Sequence, residues 1–317
     1  MTSIELDKGL TEELAAKRAW SSFLEANLDR FRRTMAVPMG ELLGCGLWGC
    51  VFDSEPPWVV KLTRDRTEGP IWAYMAELLG DSEVSAELDA FLRVRDVVRI
   101  HPDVIFGSEE MPVYGIVREA AEPVLRRPDF ATEETLRRLG MTPAILERAG
   151  IDPKEPSLSA MSDALSTFPQ DLKVRMRELF IVLMSLQDYR RHALIFHSWR
   201  GKLMRRAYDG LSKEEVEDIA DRAFQEMLAA IEKMRGHGYV NRYGDIIGQT
   251  LLSAVQYGDL VFQDLHLLNV GWRVHAEIEG DVRPLSMVIL DPGAMATPYE
   301  PPIRETELLE NLGRHFR

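Results

Sequence analysis

Three glycines stand within the eight residues Gly44-Cys45-Gly46-Leu47-Trp48-Gly49-Cys50-Val51. Lacking side chains, Gly44, Gly46 and Gly49 would let backbone N–H groups approach phosphate oxygens and let the turn take dihedrals that other residues avoid. Twelve residues after the last of them comes Lys61, in Val59-Val60-Lys61-Leu62, where apolar neighbours pack and the ammonium can point into a cleft. Much later, Phe262-Gln263-Asp264-Leu265-His266-Leu267-Leu268-Asn269 sets Asp264 and Asn269 five apart between apolar flanks. A carboxylate there can meet an incoming hydroxyl while the amide oxygen takes a metal position. Asp291 ends the apolar run Met287 to Leu290, and the Pro292-Gly293 turn after it would aim its carboxylate back toward Asn269. Hard oxygens, few in number and completed by phosphates and water, suit Mg2+.

Each segment has a bland counterpart: a chance glycine turn, an edge-strand lysine, a stray loop Asp and Asn, a strand-ending Asp-Pro-Gly. Their order along one chain is what favours the chemical reading. A dinucleotide-binding glycine loop should open a helix, whereas Cys50-Val51-Phe52 favours strand. Val51 would then pack on the adenine of a nucleotide. A partly desolvated Lys61 needs a carboxylate partner, because an unpaired charge costs several kcal/mol. Glu68 shares a helical face with Ile71, Trp72, Met75 and Leu79 and is preferred; Glu77, on the side of Ala73 and Tyr74, is the alternative. A second register would pair Asp259 with Asp264. Cys45 and Cys50, the only cysteines, are too few for a zinc site and are expected as reduced small side chains.

With these residues in order, the chain resembles the protein-kinase-like superfamily. Its Asp-Leu-His-x-x-Asn form is most similar to the aminoglycoside phosphotransferase and choline kinase branch. The likeness spans about Glu41 to Val117 and Leu260 to Gly293. It implies a bilobal α+β fold, with a small antiparallel β N-lobe carrying one helix and a large, mainly helical C-lobe holding a catalytic-loop hairpin. It implies ATP and Mg2+ as cofactors, with Gly44, Gly46 and Gly49 over the phosphates and Lys61 on the alpha and beta phosphates. Glu119, Ala120 and Ala121 would bind adenine through a hinge backbone, Asp264 would be the catalytic base, and Asn269 and Asp291 would be the metal ligands. Phe262-Gln263 stands where protein kinases carry His-Arg, and Pro292 replaces the usual Phe. Control through a phosphorylated activation loop is therefore not expected.

Local patterning supplies elements to position these groups. Apolar spacing from Glu12 to Phe31 predicts a helix bracing the first lobe. Glu41–Gly44, Cys50–Phe52, Trp58–Thr63, Val97–Ile105 and Pro112–Val117 read as strands, and Thr67 can cap a helix from Glu68 to Leu79. From Pro123 to about Tyr257 the sequence turns charged, Leu-rich and helical, including Asp171–Tyr208 and Ser212–Met234. Leu260–Phe262 reads as a short strand, followed by a hairpin of Asn269–His275 and Leu285–Leu290 turning near Gly280-Asp281. The expected divisions are a brace (1–35), an N-lobe (36–122) and a C-lobe (123–317) with its catalytic loop (258–271) and Asp-Pro-Gly motif (291–293).

A net charge of -13 disfavours attraction to nucleic acid or anionic lipid, so a triphosphate must be held by local charge. No signal sequence or membrane-length apolar run is apparent, and a cytoplasmic location is expected. Arg190, Arg191, His192, Arg200, Lys202, Arg205 and Arg206 form a basic cluster that could receive an acidic partner, a phosphorylated substrate or RNA. The plainer account is a solvated face paired with Glu214, Glu215 and Glu217. The function expected is transfer of the gamma phosphate of ATP to a hydroxyl of a protein or a small molecule. The alternatives are a nucleotide-binding scaffold and transfer of AMP.

Overall fold

The computed structural model describes residues 3–46, 48–80, 82–106, 109–236, 240–258, 260–263, 265–278, 281–283, 285–291 and 303–307. The chain divides into two compact units. One comprises Met1–Asp81, Arg93–Ala120 and Thr297–Arg317, the other Ser82–Leu92 and Ala121–Ala296.

In the first unit, helix α1 (Ser3–Thr34) runs beyond both ends of the apolar periodicity. Trp20, Phe23 and Phe31 are buried along it, with successive ring centroids 5.8 Å apart. Strands β1 (Leu42–Cys45), β2 (Gly49–Asp53), β3 (Trp58–Thr63), β4 (Val94–Phe106) and β5 (Glu109–Glu119) form an antiparallel sheet in the order β1-β2-β3-β5-β4. A late segment, Arg304–Glu307, adds to β4 in parallel.

Opposed residues of an antiparallel ladder share a face, so Val51, Lys61 and Ile116 form one row across β2, β3 and β5. Helix α2 (Glu68–Gly80) packs on that face, where Tyr114 lies against Gly69 so closely that a Cβ there would meet the ring. On the opposite face, Leu62 pairs with Gly115, and a Cβ on Gly115 would stand 2.6 Å from the Met35 sulfur. The chain just after α1 therefore packs on one face of the sheet and α2 on the other. At the start of α2 the Ile71 N–H donates to the Thr67 carbonyl at 3.1 Å, and the Thr67 hydroxyl donates to Asp65 at 2.8 Å.

The second unit is largely helical: α3 (Ser82–Glu87), α4 (Glu133–Leu139), α5 (Pro143–Arg148), α6 (Leu158–Asp163), α7 (Gln170–Arg205), α8 (Lys213–Arg235) and α9 (Asp245–Gly258). Helix α7 packs on α8, and α8 on α9. A reciprocal Ser212–Glu215 capping box starts α8, a device worth about 1 kcal/mol. Small strands fill the rest: β6 (Ala121–Pro123), β7 (Leu125–Arg127), β8 (Phe130–Ala131), β9 (Val270–Arg273), β10 (Glu277–Ile278), β11 (Asp281–Val282) and β12 (Met287–Ile289).

The β9 and β12 strands pair antiparallel with β6 on the far side of β9. The excursion between them carries its own short β10–β11 ladder. Leu260–Phe262, expected as a strand, is irregular. The Phe262 N–H and the Val261 carbonyl bond to side chains of α7, and the Leu260 N–H donates to the Ala254 carbonyl of α9.

Candidate functional site

The glycine segment is a β1–β2 hairpin whose turn is closed by the Gly46 N–H donating to the Gly49 carbonyl at 2.8 Å. None of Gly44, Gly46 and Gly49 takes a left-handed φ, so the expected benefit of unusual dihedrals does not operate here. What glycine supplies is room. A Cβ on Gly49 would stand 2.8 Å from the Leu62 carbonyl and 3.3 Å from Lys61 Cε, whereas Gly44 faces open space and a Cβ on Gly46 would meet only the Gly49 carbonyl, at 3.9 Å. The turn is also moored to β3, because the Trp48 carbonyl accepts from the Arg64 N–H at 2.9 Å and the Thr63 hydroxyl at 3.2 Å. The Arg64 guanidinium lies 5.0 Å from the Trp48 ring centre.

Cys45 and Cys50 are joined by a disulfide, contrary to the expectation of two reduced thiols. The hairpin register is the cause: the two residues are direct cross-strand partners with Cα atoms 4.1 Å apart.

Lys61 Nζ forms an ion pair with Glu68 Oε1, and the two side chains are only 13% and 7% exposed. Glu68 sits in the first turn of α2, where its charge also suits the helix dipole. It further accepts from Trp72 Nε1 at 3.4 Å, and Arg118 stacks 5.5 Å over the Trp72 ring. Glu77 is exposed on another side of α2 and its charge acts on Tyr74, whose phenol is pushed up mainly by burial and then by Glu77.

Glu119 is fully buried. Its N–H donates to the Arg93 carbonyl and the Ala120 N–H to the Pro57 carbonyl, both at 2.8 Å, while Ala121 enters β6. Those two amide donors are engaged within the protein.

In the second unit Asp264 lies outside the described residues, as do Asp259, Pro292, Gly293 and Gly280. The segments on either side of Asp264 are held from α7 and from themselves. The Phe262 N–H donates to the Tyr189 hydroxyl at 3.1 Å, and His197 Nε2 is 2.8 Å from the Val261 carbonyl. His266 Nδ1 accepts from the Leu268 N–H at 3.1 Å and its carbonyl from the Asn269 N–H at 2.9 Å, which folds Leu267–Asn269 into a single 3-10 turn.

The Asn269 carbonyl accepts from the Leu290 N–H at 2.8 Å, extending the β9–β12 ladder by one step and bringing Asn269 beside the Leu290-Asp291 segment. Gly271 permits this approach, since a Cβ there would meet Leu290 and the Glu122 carbonyl. Among the described residues no group of three or more His, Cys, Asp or Glu side chains gathers to hold a metal. Asn269 and Asp291 offer an amide oxygen and a carboxylate, hard oxygen donors of the kind Mg2+ takes.

Local sequence gave no sign of Tyr189 and His197, because their partners lie 73 and 64 residues away. Tyr189 is fully buried, which pushes its phenol well above the usual range and keeps it neutral. Burial holds His197 below the ordinary imidazole range. Asp129, at the β7–β8 turn with φ 70, accepts from the Ser157 and Ser159 hydroxyls and the Ser159 amide. Burial alone would raise its pKa, but those bonds together hold it low.

The basic cluster lies along α7 and its C-terminal cap. Lys202 pairs with Asp209 at 2.7 Å and stacks on Trp199, while Arg200 lies over Phe196. The neighbouring acids serve α8 instead, with Glu215 in its cap and Glu217 paired to Lys213.

Among the described residues no helix is long and apolar enough to cross a membrane. No protein-family model, curated protein or solved structure matches the chain.

Proposed function

We propose that the protein is an ATP- and Mg2+-dependent phosphotransferase with a protein-kinase-like fold, moving the gamma phosphate to a hydroxyl. The observation that carries this reading is the shielded Lys61–Glu68 pair on the face of the sheet that also bears Val51. A desolvated lysine held by a helix carboxylate is a fixed cation suited to phosphate oxygens. The open space at Gly44 leaves the hairpin surface accessible to phosphates, and Val51 in the same row would lie under adenine. In the second unit, Asp264 would orient the acceptor hydroxyl, with Asn269 and Asp291 holding Mg2+. The ion would neutralise charge on the transferring group.

Labelled ATP tests it. Gamma label in a product, lost in Asp264→Ala with ATP affinity retained, is the expected result, and the loss in turnover should be about 10²–10⁴-fold. Alpha label in the product would mean AMP transfer, and no product with either label would leave a nucleotide-binding scaffold. Full turnover in the Asp264 variant would remove the mechanism.

A further inference from the structure

A concavity of about 840 Å³ lies wholly within the second unit, and its three walls draw on four places in the sequence. One wall is His266, Leu267 and Leu268, which follow Asp264 at a distance of two to four residues. Another is a stripe of α7 at helical spacing: Gln187, Arg190 and Arg191, then Leu194 and Ile195. The third is the β7–β8 turn with Asp129, joined by Leu158 from α6.

The lining is chiefly aliphatic, yet Leu194 and Leu268 stay 45% and 37% exposed, so the apolar surface is not covered by the unit's own chain. The size falls within the range of small-molecule sites, roughly 300–1,000 Å³. Charge then selects the ligand. Two guanidiniums stand on the α7 wall, Arg191 exposed and Arg190 half-buried, in a chain of net charge -13. Opposite them Asp129 keeps its charge, but its carboxylate already accepts three hydrogen bonds from Ser157 and Ser159. The His266 ring accepts at Nδ1, which places its proton on Nε2 and makes that nitrogen a donor.

We propose that this concavity is the acceptor site, and that the acceptor is a small amphipathic molecule carrying a hydroxyl, an aliphatic portion and an anionic group. The anion is recognised at Arg191, the exposed guanidinium of the α7 wall. The inference rests on the phosphotransferase reading above. Guanidinium favours carboxylate and phosphate geometry, and the aliphatic stripe beside it would shield the rest of the molecule from water. The step moves the gamma phosphoryl of ATP onto the acceptor oxygen: the new P–O bond forms as the bond to the beta-phosphate bridging oxygen breaks. ADP leaves, and the hydroxyl proton passes to base.

The probe is 12-hydroxydodecanoate, with 1,12-dodecanediol as its uncharged counterpart. Equilibrium dialysis without nucleotide measures binding apart from chemistry. The hydroxy acid should bind more tightly than the diol, and Arg191→Glu should weaken it about tenfold or more while barely changing the diol. Leu194→Glu, a second exposed position on the same wall, should weaken both. Equal affinity for acid and diol, absence of acid binding, or an acid affinity indifferent to Arg191→Glu would overturn the inference. Acid binding of the expected kind with no transfer from gamma-labelled ATP to any hydroxyl would overturn the phosphotransferase reading and leave an anion pocket. Transfer to a protein acceptor without acid binding would do the reverse.

Discussion

The two units fix their candidate residues in different ways. In the first, Lys61 is placed by a ladder: Val59 to Thr63 of β3 are registered on both sides, and Glu68 reaches Lys61 from a helix seven residues later. In the second, the residues around Asp264 lie on irregular backbone, anchored by Tyr189 and His197 from the middle of α7. A ladder distributes its positional control over many hydrogen bonds, whereas an irregular segment depends on a few. Loss of one anchor should therefore disturb the second unit's segment more than loss of one ladder bond disturbs β3.

The largest effect tests the ladder side at its charge. Lys61→Met should lower kcat/KM for ATP turnover by about 10²–10³-fold, as expected for removing one fixed electrostatic group from a transition state. Glu68→Ala leaves a shielded ammonium without its carboxylate and should cost up to about 3 kcal/mol in urea unfolding. Glu77→Ala, at an exposed site, should stay within about 0.5 kcal/mol. Equal losses for the two glutamates would mean that the Lys61–Glu68 pair does not organise α2 against the sheet.

Next in size is the anchor from α7. Tyr189→Phe keeps the ring in its fully buried place but leaves the Phe262 N–H without its acceptor, a loss of about 1–3 kcal/mol for a buried donor. If that bond positions the segment leading to Asp264, kcat should fall while the KM for ATP holds. A variant that is less stable yet unchanged in kcat would reduce Tyr189 to a packing residue and erase the contrast between the units.

The same contrast explains what could be read from the residues alone. The strands around the glycine turn, the helix after Thr67 and the long helices of the second unit follow from apolar spacing over a dozen residues or so, and each is found close to its expected span. The helical face shared by Glu68 and Trp72 is likewise a local pattern. Local pattern failed wherever a distant partner decides the outcome. Leu260–Phe262 has strand-like composition, but the Phe262 and Val261 backbone bonds go to a tyrosine and a histidine on α7. The partners of the Glu119 and Ala120 amides, Arg93 and Pro57, likewise lie more than twenty residues away, beyond the reach of local pattern. The Cys45–Cys50 bridge has another cause: hairpin register, which cysteine count does not reveal, decides which side chains meet.

The smallest effect concerns pH and the second α7 anchor. His197 is held below the ordinary imidazole range chiefly by burial, with the charge of Arg200 acting in the same direction and the Val261 carbonyl opposing. In the unfolded chain it titrates near about 6.5, so as pH falls the unfolded state takes up its proton first. Stability then rises with pH, is complete above about 6.5 and is lost as pH falls through the folded value. Asp129 and Glu134, both held low by hydrogen bonds, lose their contributions only in the carboxylate range near and below about pH 4. The interval between those ranges therefore separates the histidine from these two carboxylates. Thermal unfolding from pH 7.5 down to pH 5 should show a steeper fall for the native protein than for His197→Gln, which keeps an N–H donor but cannot titrate. Parallel curves would mean that His197 is not neutralised by folding, and the anchoring of Val261 would then rest on the hydrogen bond alone.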